Sequence, residues 1–333
     1  MDDPLTAPAA ANPAVSVAIV IPFYQTKPGI LSKAIVSALR QSVACTIMVV
    51  DDASPVPASD ELAALMREYP GRIVIIEQPN AGPAAARNNG LAHVPSGTRY
   101  VAFLDSDDEW IDTHLANAIM ALEQGYDFYF ADHYQLNQTV SAFNRAKRIT
   151  VSQHPQIAAT AHLHAYAGDM FDQILIGNII GTSTVVYRYE AFPKLRFREE
   201  FVYAGEDYLF WLELATLTKK IAFSSLCECT YGEGVNIFSG SGWGTEKSLV
   251  RIHHEMKFKR AVSRIFPLTP PQLASTQAAV RTLRRSFVAD VLHRLAHRRA
   301  FQQGLLREQF RVDPQTFVYF LPLAVSIVLK RTG

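Results

Sequence analysis

The chain has 333 residues, and its 32 Lys and Arg are balanced by 31 Asp and Glu, so it lacks the basic excess expected of a nucleic-acid binder. That length suits one large α/β domain with an appended element, or two domains, and is enough to bury a full core. Cys45, Cys227 and Cys229 are too few and too scattered for a disulfide framework or a zinc site, which points to a reducing compartment, and no apolar run reaches the length of a membrane-spanning helix.

Residues 1–13 are rich in Ala and Pro without an apolar core, so a disordered leader is expected rather than a signal peptide. Residues 15–22 form a β-branched run stopped by Pro22, the pattern of a central parallel strand, with Tyr24 just beyond its end. Apolar positions 30, 31, 34, 35, 38 and 39 predict a helix over 30–41, and 46–50 reads as the next strand, running into Asp51 and Asp52. A helix at 60–69, a strand at 73–77, a helix at 83–93 and a strand at 100–104 complete a β-α-β-α-β-α-β series. That alternation predicts a doubly wound, mostly parallel sheet flanked by helices.

The strand at 100–104 runs straight into Asp105, Ser106, Asp107 and Asp108. Asp105 and Asp107 are two apart, which suits a hard divalent cation and, with it, a nucleotide diphosphate. The structural alternative is an acidic turn capping a helix that starts at 112 or 113. Three strands deposit polar residues on one edge, the edge where open α/β sheets bind ligands. Arg87, on a helix of small residues, directs a guanidinium toward phosphate. Each residue has a bland reading of its own: a surface salt bridge for Arg87, a core aromatic for Tyr24, a cap for Asp51. Their coincidence on one edge favours the functional one.

The segments ending in Pro22-Phe23-Tyr24-Gln25 and Val50-Asp51-Asp52-Ala53-Ser54, then Asn80-x-Gly82 with Ala86-Arg87-Asn88-x-Gly90, then Leu104-Asp105-Ser106-Asp107-Asp108, resemble those of family 2 inverting glycosyltransferases of the GT-A fold. Gly205-Glu206-Asp207-Tyr208 resembles the acidic base motif of the same family. The resemblance implies that Tyr24 lines the base pocket, Asp52 accepts the uracil imide hydrogen, and Asp51 sits by the ribose. It also implies that Arg87 contacts base or diphosphate, that Asp105 lies near the ribose, and that Asp107, with Asp105, ligates Mg²⁺ or Mn²⁺. Pro22 and Ser106 fall inside these motifs and join the expected nucleotide-sugar site.

In the second half, 127–133 reads as a strand and 145–164 as a loop excursion. A hydroxyl-rich turn leads into a strand at 184–187, and in the resembled family this region borders the acceptor. Residues 206–218 are apolar nearly all round, which predicts a buried helix with Glu206 and Asp207 in its first turn. Complementing the helix dipole would be worth only about 0.3–1 kcal/mol. A general base there would contribute roughly 10²–10⁴-fold. The resemblance selects Asp207 over Glu206 for that role.

Residues 232–245 are Gly-rich around Trp243, which suits a lid and adds Trp243 to the expected nucleotide-sugar site. The glycines do not complete a dinucleotide fingerprint, because Thr245 stands at its last position. His254-Glu255 lacks the second histidine of a zinc-protease helix, because Phe258 occupies that place. His253 or His254 reads as either a late metal ligand or a helix-face residue. Beyond Pro271 the chain is helical and arginine-rich, ending in an apolar stretch at 317–329. That stretch suits an interfacial segment at an anionic leaflet, or a tail packed on the core or on a dimer partner.

The expected organisation is a disordered leader (1–13), a GT-A domain (14–264) whose 14–110 half binds the nucleotide and whose 111–264 half meets the acceptor, and a basic helical C-terminal extension (265–333). The expected activity is that of bacterial exopolysaccharide enzymes of the succinoglycan type, which the chain most resembles to about Phe258. Such an enzyme takes a UDP-sugar donor, most simply UDP-glucose, and a lipid-linked saccharide acceptor, and works in the cytoplasm at the inner face of the plasma membrane. The rivals are a catalytically silent nucleotide-sugar-binding scaffold and a nucleotidyltransferase.

Overall fold

A computed structural model describes residues 16–157, 160–234 and 242–332, without the side chains of residues 330–332. The expected leader, the middle of the Gly-rich segment and the side chains of Lys330 and Arg331 lie outside the described residues. The first half follows the predicted alternation: β1 (Val17–Phe23), α1 (Leu31–Leu39), β2 (Cys45–Asp51), α2 (Ala58–Glu68), β3 (Ile73–Glu77), α3 (Pro83–Ala92) and β4 (Tyr100–Phe103). The second half adds β5 (Glu109–Trp110), α4 (His114–Glu123), β6 (Phe128–Tyr134), α5 (Ala142–Ala146), β7 (Leu163–Ala165), α6 (Met170–Ile176), β8 (Val186–Arg188), α7 (Glu206–Leu217) and β9 (Ile221–Thr230). Then come α8 (Ser248–Ile265), α9 (Pro270–Ala296), α10 (Leu305–Val312), α11 (Gln315–Val318) and α12 (Phe320–Thr332).

These strands form one open sheet in the order β3-β2-β1-β4-β8-β6-β9-β5, with β7 on β9. β1 to β4 are parallel, whereas β8 runs antiparallel between β4 and β6. Along β1 the side chains alternate between two cores, as a strand buried on both faces requires. Val17, Ile19, Ile21 and Phe23 pack with α1, α2 and α4, while Ala18 and Val20 pack with α3, α6 and α7. A third cluster joins Leu249, Ile252 and Met256 of α8 to Val280, Phe287 and Val291 of α9 and Leu305 of α10.

α3 sits unusually close to the sheet. A Cβ at Gly90 would lie 2.5 Å from Val20 Cγ1, so any larger residue would push the helix, and Arg87 with it, off β1. Pro83 in the first turn needs no N–H partner there. The segment expected as a loop at 145–164 instead holds the end of α5, a 3₁₀ turn at 151–153 and the first residues of β7. The strand expected at 184–187 starts two residues later, because 182–184 wind into a 3₁₀ turn. β9 was not foreseen. Its buried Glu228 accepts hydrogen bonds from Asn117 Nδ2 at 2.7 Å and Tyr129 OH at 2.7 Å and pairs with His114 Nδ1 at 2.9 Å. Those long-range partners make a charge tolerable in the sheet.

Candidate active site

A cleft of about 1140 Å³ opens where β1, β2 and β4 end. On the sheet side it is lined by Pro22, Tyr24, Asp52, Arg87, Asp105, Ser106 and Asp107. Asp51 does not line it. Successive strand residues point to opposite faces, so Asp51 and Asp52 diverge at the end of β2. The Asp51 carboxylate accepts N–H bonds from Ser54 at 2.7 Å and Ala58 at 2.8 Å, which caps the start of α2; the expectation of a ribose contact is corrected to a cap. Asp52 faces the cleft, and its Oδ1 accepts from Gln78 Nε2 and Ala81 N while its Oδ2 accepts from Gly82 N at 2.8 Å. Ser106 is buried and accepts from Gln25 Nε2 at 3.2 Å.

Beyond β4 the acidic turn splits its carboxylates three ways. Asp105 receives Arg87 Nη2 at 2.6 Å. Asp107 accepts the Gly234 N–H at 2.8 Å, and burial together with the Asp105 charge pushes its pKa up to about 6. Asp108 also borders the cleft, but its carboxylate is buried and bonded to Ser183 Oγ and to Gly232 N at 3.1 Å, with burial holding its pKa well above the carboxylate range. The segment after β9 presses on this turn so closely that a Cβ at Gly232 would lie 1.7 Å from the Asp107 carbonyl oxygen.

Asp105 and Asp107 fit a hard divalent cation. Both offer carboxylate oxygen, and the raised proton affinity of Asp107 reflects burial first and the neighbouring Asp105 charge second. Among the described residues no group of three or more His, Cys, Asp or Glu is placed to hold a metal, so substrate or solvent oxygens would complete the shell. The histidines of α8 do not contribute. His253 is buried against α10, its Nδ1 2.7 Å from Gln309 Oε1, and His254 stacks near Tyr203 with burial lowering its pKa to about 4. Neither lines the cleft, so they belong to the helix face. Trp243 is likewise absent from the lining: its ring lies 6.0 Å from that of His293 on α9 and it is half exposed. The expected sugar-site aromatic therefore rests against the helical layer at α9.

The first turn of α7 supplies the facing carboxylates. Glu206 Oε1 is 3.6 Å from Arg87 Nη1, so one buried guanidinium stands between Asp105 and Glu206. Burial and the neighbouring Asp207 charge push Glu206 up to about 8, against the pull of Arg87. Burial also raises Asp207, to about 6, with Arg87 and the Tyr208 N–H opposing it. The two carboxyls titrate as a pair, both lifted by burial and Glu206 the more strongly. Asp207 also borders a side pocket of about 210 Å³ whose walls include His133, Asn178, Thr182 and Tyr231. His133 stacks on Tyr231, and burial lowers its pKa to about 4.

Some of the cleft had no motif. Arg251, Glu255 and Phe258 of α8 close one side, and the only signal for them was an ion pair at helical i,i+4 spacing. Tyr231 follows β9, which has no clear signal in the sequence, and His133 lies inside the expected strand at 127–133, where nothing marks it as a pocket residue.

Comparison with known proteins gives this geometry a context. The family described as Glycosyl transferase family 2 matches residues 18–195. The succinoglycan biosynthesis protein ExoW of Rhizobium meliloti is 30% identical over 318 residues, covering 92% of this chain and 97% of that protein. Residues 1–349 of S. aureus TarS, solved in complex with UDP-GlcNAc, superpose with a TM-score of 0.57 at 15% identity, covering 90% of this chain and 80% of that one. The mannosyltransferase PcManGT of Pyrobaculum calidifontis, solved with GDP-Man and Mn²⁺, superposes at 0.56 and 14% identity, covering 94% and 86%. At those identities the two structures speak to the fold, which is GT-A.

Proposed function

Because the chain belongs to glycosyl transferase family 2, we propose that it transfers glucose from UDP-glucose, with inversion, to a hydroxyl of a lipid-linked oligosaccharide in exopolysaccharide synthesis. Membership makes it a transferase rather than a silent scaffold. Its near full-length similarity to a succinoglycan biosynthesis protein supports the pathway class, and the UDP-GlcNAc complex of a structural neighbour supports a UDP-sugar. The observation that carries the reading is the pairing of carboxylates from two separate elements around one buried arginine: Asp105 and Asp107 after β4, Glu206 and Asp207 on α7.

In this reading Pro22 and Tyr24 border the base. Three donors leave Asp52 Oδ2 one lone pair, which suits the uracil imide N–H. Asp107 and Asp105 hold Mg²⁺ or Mn²⁺, which when bound offsets the charge developing on the leaving diphosphate. Arg87 adds a fixed positive charge on the same side. Inversion requires the acceptor oxygen to attack from the face opposite the diphosphate, so its proton must go to a group across the cleft. Asp207, the less strongly raised of the pair, takes that proton, while Glu206 lies beside it against Arg87. Asp207→Asn should keep donor and metal affinity but lose transfer by a factor on the order of 10² or more. Wild-type transfer by this variant, measured on membranes carrying the lipid-linked acceptor, would sink the assignment; a dead Glu206→Gln beside a working Asp207→Asn would move it one residue.

The reading includes a membrane surface at the cytoplasmic leaflet. No helix among the described residues is long and apolar enough to span a bilayer. α12, however, exposes Leu321, Val325 and Val328 along one stripe, continued by Val318. Two arginines of this layer are internal: Arg284 pairs with Asp313, and Arg294 with Asp290. Arg307 and Arg311 are exposed and available for anionic lipid. Full-length protein should co-sediment with anionic liposomes at low salt, less so in high salt, and less again when Leu321, Val325 and Val328 are changed to Glu. Equal sedimentation of wild type and triple variant would remove the surface from the reading.

A further inference from the structure

Asp108 borders the cleft with its carboxylate buried, and the hydroxyl that meets it comes from the 181–184 turn. Ser183 Oγ donates to Asp108 Oδ2 at 2.5 Å and accepts the Asp105 N–H at 2.9 Å, so one buried hydroxyl grips the acidic turn at both ends. Trp110 Nε1 in turn donates to the Ser183 carbonyl, which fixes the backbone that carries the hydroxyl. The other Asp108 oxygen takes the Gly232 N–H at 3.1 Å. Asp107 sits between these anchors and, like Asp105 and Ser106, lines the cleft, where its carboxylate accepts the Gly234 N–H. The neighbours of Ser183 face the opposite way: Gly181 and Thr182 line the side pocket that Asp207 borders. A single short turn therefore touches the Asp105–Asp108 turn with one residue and the pocket beside the base with the two before it.

We infer that Ser183, acting through Asp108, is a positioning residue that holds the Asp107 carboxylate in its ligating orientation and ties it to the pocket beside Asp207. Neither Ser183 nor Asp108 meets the metal or the donor. With the hydroxyl removed, the Asp105 N–H and the Asp108 carboxylate lose their shared partner, and Asp108 keeps only the Gly232 N–H across from it. The inference rests on the reading of Asp107 as a metal ligand, so the test measures Mn²⁺ binding directly, by the electron paramagnetic resonance signal of free Mn²⁺ titrated into protein with UDP, alongside kcat and donor KM.

Four variants are compared with wild type: Ser183→Ala, Asp108→Asn, the double variant, and Asp107→Ala. Partners that orient a ligating group typically contribute 10–100-fold to metal affinity, so Ser183→Ala and Asp108→Asn should each weaken Mn²⁺ binding by about tenfold. Their kcat should fall more than their donor KM rises. The double variant should be no worse than the worse single one, because both changes break the same link. Losses that multiply, or Ser183→Ala with wild-type Mn²⁺ affinity and kcat, overturn the positioning role. If Ser183→Ala does not fold, Ser183→Cys, nearly the same size with a weaker donor, decides: an intermediate loss upholds the role and none overturns it. Should Asp107→Ala itself bind Mn²⁺ normally, the metal reading fails, a result distinct from failure at Ser183 alone.

Discussion

The two sides of the cleft treat their carboxylates in opposite ways. At the end of β2, Asp51 and Asp52 are surrounded by five hydrogen-bond donors, four backbone N–H groups and the Gln78 side-chain amide, all within 2.8 Å. Across the cleft, Glu206 and Asp207 sit in the first turn of a buried helix with one shared arginine nearby, and burial lifts both well above the carboxylate range. Saturated carboxylates make rigid recognition surfaces; under-compensated ones keep an affinity for protons. In the proposed reading the difference separates the part of the cleft that would hold a ligand from the part that would move a proton, although both present the same functional group.

The acidic turn after β4 lies between these extremes and offers the harshest way to break the contrast. Asp107→Ala should abolish metal-dependent UDP binding and turnover while the protein stays folded, as read by calorimetric titration with and without Mn²⁺; undiminished binding would place Asp107 with the structural carboxylates. A smaller effect should come from pH. Asp207, held up to about 6, accepts a proton only while ionised, so transfer should fall as pH drops through that value, roughly tenfold per unit below it. The rate should level off above pH 7, and the acid limb attributable to Asp207 should be missing from the residual activity of Asp207→Asn. The mildest test is at Asp51. Removing this cap with Asp51→Ala should cost about 1–2 kcal/mol in chemical denaturation, yet leave the donor dissociation constant within a few-fold of wild type. A large loss of donor affinity without loss of stability would return Asp51 to the ligand surface.

The β2 pair also marks how far the sequence could be read. Strands β1 to β4 and the helices between them were legible because β-branched runs and 3.6-residue periodicity are local signals, and the edge they form brings Tyr24, Asp52, Arg87, Asp105 and Asp107 together as expected. Asp51 and Asp52, adjacent and identical in chemistry, differ only in which backbone N–H groups they meet, and nothing local says which one faces the ligand. β9 escaped notice for a related reason. Its polar residues, Ser224 and Glu228, look like surface until His114, Asn117 and Tyr129 arrive from elements about 100 residues away in the chain. Trp243 went the other way: glycines around an aromatic suggested a lid, while the packing partner that claims it, His293, lies fifty residues downstream.

The approach of Gly232 and Gly234 to Asp107 has a consequence for which sequences this chain can become. A Cβ at Gly234 would sit 2.5 Å from the Asp107 carboxylate and one at Gly232 1.7 Å from its carbonyl oxygen, distances no side chain can share. Drift in the segment that follows β9 is therefore bounded at these two positions by steric exclusion alone, before any demand of chemistry. Here even alanine, the smallest change available, must move either the segment or the turn.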